Sequence, residues 1–189
     1  MLDKKIESLI EKEKERENQT LNLIASENYV SKDVLNALGS VFTNKYAEGY
    51  SKARYYGGNE VVDELELLTK DRALKLFGLN VDAWSVNVQP YSGSPANLAV
   101  YHALVPIGEK IMGMSLPMGG HLTHGHKVSV TGKLWNQVPY GVDKNTELLN
   151  YGEILRIAEK EKPKLIVAGY TAYSRIVDFK KFREIADAC

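Results

Sequence analysis

The chain is poor in thiols: one cysteine, Cys189, stands at its last position. No disulfide can form within the chain, which fits a reducing compartment and a cytoplasmic location. Net charge is lacking too. Lys plus Arg and Asp plus Glu are both 24, and nothing in that balance argues for nucleic acid or a membrane surface as partner. No run approaches the ~20 apolar residues of a membrane span. The first residues alternate acidic and basic side chains, which is the pattern of neither a signal nor a transit peptide. There is no internal repeat and no low-complexity segment. Three catalytic signatures are absent as well: a dinucleotide Gly-x-Gly-x-x-Gly, a lysine in a Gly-rich phosphate loop, and a Ser/His/Asp arrangement.

What remains is 189 residues, 44% hydrophobic and 25% charged. That is ordinary globular composition, long enough for a sizeable core in one domain or a little more. Residues 3–19 read as a charged helix with a short stripe of Ile6, Leu9 and Ile10, either a solvated surface helix or an arm that packs on another subunit. Ser31 is placed to cap a helix over 33–42 with Val34, Leu35, Leu38 and Val41 on its apolar face. Asn59 is placed to cap a helix over 60–77, with Val61, Val62, Leu65, Leu68, Ala73 and Leu76 near the helical period and Gly78 ending it.

Beyond Trp84, strands alternate with helices or loops. Candidate strands are 84–88, 109–114, 134–139 and 164–168, and a helix over 151–161 turns Ile154, Leu155, Ile157 and Ala158 inward. The unbroken apolar run Leu165-Ile166-Val167-Ala168 is that of a strand covered on both faces. The pattern predicts an α/β fold with a largely parallel sheet. Asp178 is placed to cap a last helix with Phe179, Phe182, Ile185 and Ala186 on one face. A β-to-α unit normally returns to the sheet, and this one stops. The expectation is a chain that is incomplete, or one part of a two-chain assembly.

Four places could carry chemistry. Tyr91-Ser92-Gly93-Ser94-Pro95-Ala96-Asn97 lies between a strand-like and a helix-like run, with Pro95 suited to the first helical position. Its hydroxyls and free N–H groups read as a phosphate site or as a simple helix cap. Thr43 to Gly58 holds four tyrosines, an arginine and a glutamate with neither helix nor strand period. Long loops of that kind are usually functional or disordered, and the aromatics argue against disorder. Glu48 within it is a solvated charge or, buried among aromatics, a general acid or base. Gly119-Gly120-His121-Leu122-Thr123-His124-Gly125-His126 holds three of the four histidines. It reads as a metal site lacking a nearby carboxylate or cysteine, or as a loop whose backbone approaches a ligand, with an imidazole beside a flat ring. Ser174 follows the strand at 164–168, at the sheet edge where α/β proteins bind ligands, or is a turn hydroxyl.

Several stretches together resemble the serine hydroxymethyltransferase family. They are Leu23-Ile24-Ala25-Ser26-Glu27-Asn28, Asn44-Lys45-Tyr46-Ala47-Glu48-Gly49-Tyr50, Arg54-Tyr55-Tyr56-Gly57-Gly58, Asn87 to Asn97, and Gly119 to Gly125. The resemblance runs from about residue 20 to the end, in the family's order and spacing. It implies a fold-type-I pyridoxal-phosphate transferase that moves the hydroxymethyl carbon of L-serine to tetrahydrofolate, giving glycine and 5,10-methylenetetrahydrofolate. It also implies a homodimer or tetramer. In its terms, residues 1–58 are a helical arm and inter-subunit loop, and 59–189 are part of the large cofactor-binding domain, with an incomplete sheet.

Carried over residue by residue, the resemblance assigns roles. Ser92, Gly93 and Ser94 bind the cofactor phosphate, His121 stacks on the pyridine ring, and Ser174 hydrogen-bonds its phenolic oxygen. Glu48 is the acid/base group at the serine hydroxyl and the folate. Ser26, Tyr46 and Tyr56 line the substrate site, and Leu116 and Gly120 lie where the family holds the pterin. Ser26, Tyr46, Glu48 and Tyr56 reach across the dimer interface in that family, where Tyr56 also contacts the partner's cofactor phosphate. Ser51-Lys52 departs from the family's Pro-Gly, which puts the turn geometry in question. The family's Schiff-base lysine, pyridine-nitrogen aspartate and substrate-carboxylate arginine have no counterpart within these 189 residues. A non-catalytic or split subunit that needs a C-terminal partner, or folate-independent aldol cleavage of β-hydroxy amino acids, are the alternatives.

Overall fold

A computed structural model describes residues 3–189 of the chain. The chain forms two compact units: one is Tyr29–Ala103, and the other is Leu104–Cys189 with the N-terminal segment ending at Asn28.

The second unit is built on a parallel sheet. Strands β3 (Lys110–Met114), β4 (Asn136–Tyr140) and β5 (Leu165–Ile166) lie in the order β4-β3-β5. Ile111 pairs with both Gln137 and Leu165, so β3 is central. Parallel neighbours need crossovers, and here α5 (Val130–Leu134) precedes β4 while α6 (Tyr151–Glu161) joins β4 to β5. The central strand is dry: Ile111, Met112 and Met114 are fully buried. Below it pack Ile154 and Ala158 of α6 and Phe182 and Ile185 of α7 (Phe179–Ala188), spaced at the helical period. Asn150 and Asp178 start these helices by accepting from Glu153 N (3.1 Å) and Lys181 N (3.1 Å). In α7 the predicted inward Phe179 is instead 64% exposed. The apolar run of β5 is only half-buried, because β5 is an edge strand of this sheet, paired with β3 alone. The charged helix α1 (Lys4–Gln19) buries none of its residues.

The first unit is mostly helical. It holds α2 (Lys32–Leu38), a two-stranded hairpin of β1 (Gly49–Tyr50) and β2 (Ala53–Arg54), α3 (Glu60–Leu76) and α4 (Gly93–Leu104). Ser31 caps α2 as expected, accepting from Val34 N. The expected apolar faces are not covered. Val61 is 63% and Leu76 81% exposed, and the buried apolar side chain of α3 is Leu74. The strand expected over 84–88 does not form. After a turn in which Ala83 and Trp84 donate to Asn80 O, the extended segment finds no ladder partner among the described residues, and Asn87 Oδ1 takes the N–H of Gln89 instead (2.9 Å). No helix among the described residues is long and apolar enough to cross a membrane.

Candidate functional site

In the sheet unit, the carboxyl ends of β3 and β5 converge on one turn. Leaving β3, the chain makes a short 3-10 turn over Leu116–Met118 and then a second over Leu122–His124. Between them, Gly119 O accepts from Thr171 N (2.9 Å) and Ala172 N (3.1 Å), and Gly120 N donates to Ser115 O (3.0 Å). This lacing depends on the two glycines. Gly119 has φ +106°, and a Cβ on Gly120 would lie 2.0 Å from Met114 O, so neither position accepts a side chain without backbone movement. The turn and the segment 171–174 are thereby held together, and His121 and Ser174 are presented from adjacent strand ends. That edge is where open parallel sheets bind ligands.

His121 is held by its own surroundings. Its Nδ1 accepts from Thr123 N (3.1 Å) and lies 2.7 Å from the Thr123 hydroxyl. With Nδ1 used as an acceptor, the neutral ring carries its proton on Nε2. His121 N donates to Nδ1 of His124 (3.2 Å), closing a reciprocal cap. His124 is buried, its ring packed over Gly113, and burial holds its imidazole below the usual histidine range. His126 Nδ1 accepts from Val128 N (3.5 Å), so all three clustered histidines are engaged with the chain itself. Among the described residues, no group of three or more His, Cys, Asp or Glu is disposed to hold a metal.

The segment leading to Ser174 is pinned by tyrosine hydroxyls, a signal the sequence reading missed. Tyr140 donates to Val167 O (2.7 Å) and lies 3.3 Å from Tyr170 OH. Burial raises both phenols above their usual range, Tyr170 to about 12. Tyr173 OH accepts from Leu149 N (3.3 Å), and Tyr151 OH from Asp178 N (2.8 Å). Ser174 itself is exposed, with Arg175 Nη1 3.4 Å from its Oγ. A cavity of about 320 Å³ beside it is lined by Met118, Gly119, Tyr173, Ser174 and Arg175. Leu116 is exposed at the same turn, while Gly120 is buried in it. Ser26 sits apart from this group in an exposed turn after α1.

In the hairpin unit, Ser92, Gly93 and Ser94 begin α4 and are exposed. Pro95 is its third residue rather than its first, still within the turn where a missing N–H costs nothing. The first intrahelical bond runs from Ala96 N to Ser92 O (3.2 Å). Helix geometry leaves the N–H groups of Gly93 and Ser94 pointing outward beside two hydroxyls. A Cβ on Gly93 would meet nothing within 4 Å, so the space in front is open. Free N–H groups beside hydroxyls that can turn to donate suit an anion.

The tyrosine-rich stretch is not a structureless loop but is organised by its hairpin. Arg54, its side chain 5% exposed, donates to Ala47 O (2.7 Å), Gly49 O (2.8 Å), Asp63 (2.8 Å) and Glu66 (2.8 Å). Lys52 takes φ +66°, the value a glycine supplies at the second turn position. Its N–H donates to Asp63 Oδ2 (2.8 Å), so Ser51-Lys52 keeps a turn that Pro-Gly would also make. The Lys52 N–H and the Arg54 guanidinium hold the Asp63 carboxyl below the usual range. Burial alone would raise Glu66, but hydrogen bonds from Lys70, Arg54 and Gln89 outweigh it and bring it down to about 2. Asn59 stands at the N-cap of α3 as expected, its carbonyl accepting from Asp63 N (2.8 Å), but its side chain makes no cap bond. Its Nδ2 donates to Tyr56 O (2.8 Å), and its buried Oδ1 has no partner among the described residues. Tyr46 and Tyr56 meet edge to face, 6.0 Å between ring centres, and both remain at least half exposed. Glu48 is exposed rather than enclosed by aromatics, while its carbonyl accepts from Tyr55 N (3.1 Å).

The parallel sheet of one unit, with residues converging at its carboxyl edge, defines an α/β protein. The family model described as serine hydroxymethyltransferase matches residues 1–189. A serine hydroxymethyltransferase from Mycoplasmopsis agalactiae is 57% identical over 189 residues, which is all of this chain and 44% of that protein. The chain belongs to the serine hydroxymethyltransferase family. It spans less than half the length of that curated relative.

Proposed function

We propose that this chain serves a pyridoxal-phosphate-dependent serine hydroxymethyltransferase of the fold-type-I class, interconverting L-serine and tetrahydrofolate with glycine and 5,10-methylenetetrahydrofolate. The observation that carries the reading is the lacing of Gly119–Gly120 to Thr171–Ala172, which presents His121 and Ser174 from neighbouring parallel strand ends.

The residues present fit the cofactor. Ser92, Gly93 and Ser94 offer hydroxyl and N–H donors and open space for a phosphate dianion. His121 offers a flat ring of fixed tautomer, and Ser174 an exposed hydroxyl for a phenolic oxygen. When bound, the cofactor supplies an electron sink for the α-carbon of an amino acid. This chain's own residues bind and orient it. The carboxyl group of Glu48 holds or moves a proton at the serine hydroxyl. Ser26, Tyr46 and Tyr56 line the substrate site, and Leu116 and Gly120 border the pterin. Tyr46, Glu48 and Tyr56, exposed beside the hairpin, are available to a second copy in a homodimer or tetramer. In the whole protein, residues 1–58 serve as the helical arm with its loop and 59–189 as the cofactor-binding part, a functional division that differs from that of the two compact units.

The test is serine-dependent, tetrahydrofolate-dependent glycine formation by the whole protein, with and without pyridoxal phosphate. Turnover that needs both supports the reading. Glycine formation from β-hydroxy amino acids that is indifferent to folate replaces it with aldol cleavage.

A further inference from the structure

We propose that Gln89 is a positioning residue that couples the Glu48-bearing hairpin to the anion-binding start of α4. Its side-chain Nε2 donates to Gly49 O (2.8 Å), forty residues back in the chain, and lies 3.3 Å from Glu66 Oε2. Both partners are acceptors only, so the amide must present its NH₂ to them and its orientation is set. Gly49 O is the carbonyl that Arg54 also holds, and Glu66 Oε2 is the oxygen that Arg54 Nη2 also holds. Gln89 therefore joins the hairpin at its anchoring point. On its other side, the backbone N–H of Gln89 is fixed by Asn87 Oδ1. Only Pro90 and Tyr91 separate it from Ser92, and proline locks one of the intervening torsions. A shift of the hairpin is thereby transmitted to the Ser92–Ser94 donors, and an anion bound there restrains the hairpin.

The coupling rests on the reading of Ser92–Ser94 as a phosphate site. Its test uses the whole protein with two substitutions: Gln89→Met, which keeps the length and loses the donor, and Gln89→Glu. Hydrogen–deuterium exchange by mass spectrometry reports the hairpin, and titration with inorganic phosphate reports the helix start. Gln89→Met is expected to speed exchange over residues 48–55 by about three- to tenfold and to weaken phosphate binding similarly, which is the span of one lost hydrogen bond. Exchange over 110–114 stays at the wild-type rate. Gln89→Glu sets a carboxylate against Glu66, with Asp63 and Lys70 on the same helix and Arg54 on the hairpin facing it. Its effect exceeds that of Gln89→Met at neutral pH. It shrinks on acidification, as the introduced carboxyl protonates and regains a donor while Glu66 stays ionised. A purely structural gap would not follow that titration. Wild-type exchange at 48–55 in both variants, or acceleration spread evenly over the chain, overturns the proposal. Phosphate that binds wild type and binds Gln89→Met equally overturns the coupling alone. Phosphate that fails to bind wild type overturns the anion reading and the coupling with it.

Discussion

The two units of this chain solve the same problem, holding a turn in place, with different physics. In the sheet unit the turn at Gly119–His121 rests on a dry core of Ile111, Met112, Met114, Ile154, Ala158, Phe182 and Ile185. In the hairpin unit few side chains are buried, and Tyr46, Tyr50, Tyr55 and Tyr56 face outward. A hairpin of two-residue strands is not stable alone. Here it is held by a guanidinium with four acceptors around it, two of them carboxylates. The difference teaches where each device is useful. Apolar burial is strong but undirected, and suits a scaffold. Charge-assisted hydrogen bonds are directional, and position a segment whose aromatic side chains stay exposed.

Substitutions can break or sharpen that contrast. The largest expected effect is Met112→Ala, a cavity under the central strand that costs about 2–5 kcal/mol and lowers the melting transition of the sheet unit, read by calorimetry or circular dichroism. Gly120→Ala follows at about 1–3 kcal/mol, because its Cβ would sit 2.0 Å from Met114 O. Its local signature is lost protection of the Thr171 and Ala172 amides in hydrogen exchange. Arg54→Met should leave the sheet unit's transition near wild type and abolish protection over residues 48–55, since the carbonyl of Ala47 loses its guanidinium donor, that of Gly49 keeps only Gln89, and Asp63 and Glu66 lose their cation. Equal disturbance of both units would erase the contrast drawn above.

Acid provides a subtler test. The Glu66 carboxyl ionises near 2 in the folded chain against an ordinary 4.5. Its contribution is therefore complete above pH 4.5 and is lost as pH falls through the folded value. Protection of the hairpin should decline between those pH values in the wild type, and Glu66→Gln should remove that dependence. The smallest expected effect is favourable. Lys52→Gly relieves a left-handed backbone at a non-glycine residue, and should stabilise the hairpin by up to about 1 kcal/mol, provided the N–H to Asp63 is kept. A destabilised hairpin would mean that the lysine side chain matters more than its backbone strain.

The helices over 151–161 and 179–188 were legible because their caps and apolar periods are local: Asn150 and Asp178 act within three residues of their partners. The parallel order was legible from strand and helix alternation. The helix start beside Ser92–Ser94 was legible too, since its signals lie within a few positions of one another. Less visible were the exposure of Phe179, Val61 and Leu76 and the unpaired stretch at 84–88. An apolar period states that a face can be buried, not that a surface is present to bury it. The hairpin inside the tyrosine-rich stretch was hidden because neither two-residue strand has a detectable period.

By itself, then, the sequence determined the helices over 151–161 and 179–188, the parallel α/β pattern, the donors at the start of α4 and the family to which the chain belongs, whereas the helix expected over 33–42 ends at Leu38 and gives way to a 3-10 turn over Val41–Asn44. Those features depend on neighbours in the chain, or on motifs whose spacing is written in it. Only the tertiary structure decided that Arg54 and Gln89 are the fastening points of the hairpin, that Gly120 is closed against Met114 O, and that tyrosine hydroxyls pin the approach to Ser174. Each of those contacts is a hydrogen bond or a close approach that the local sequence pattern does not announce. They exist because folding brings a donor and an acceptor, or a backbone and an empty glycine face, within 3 Å or less.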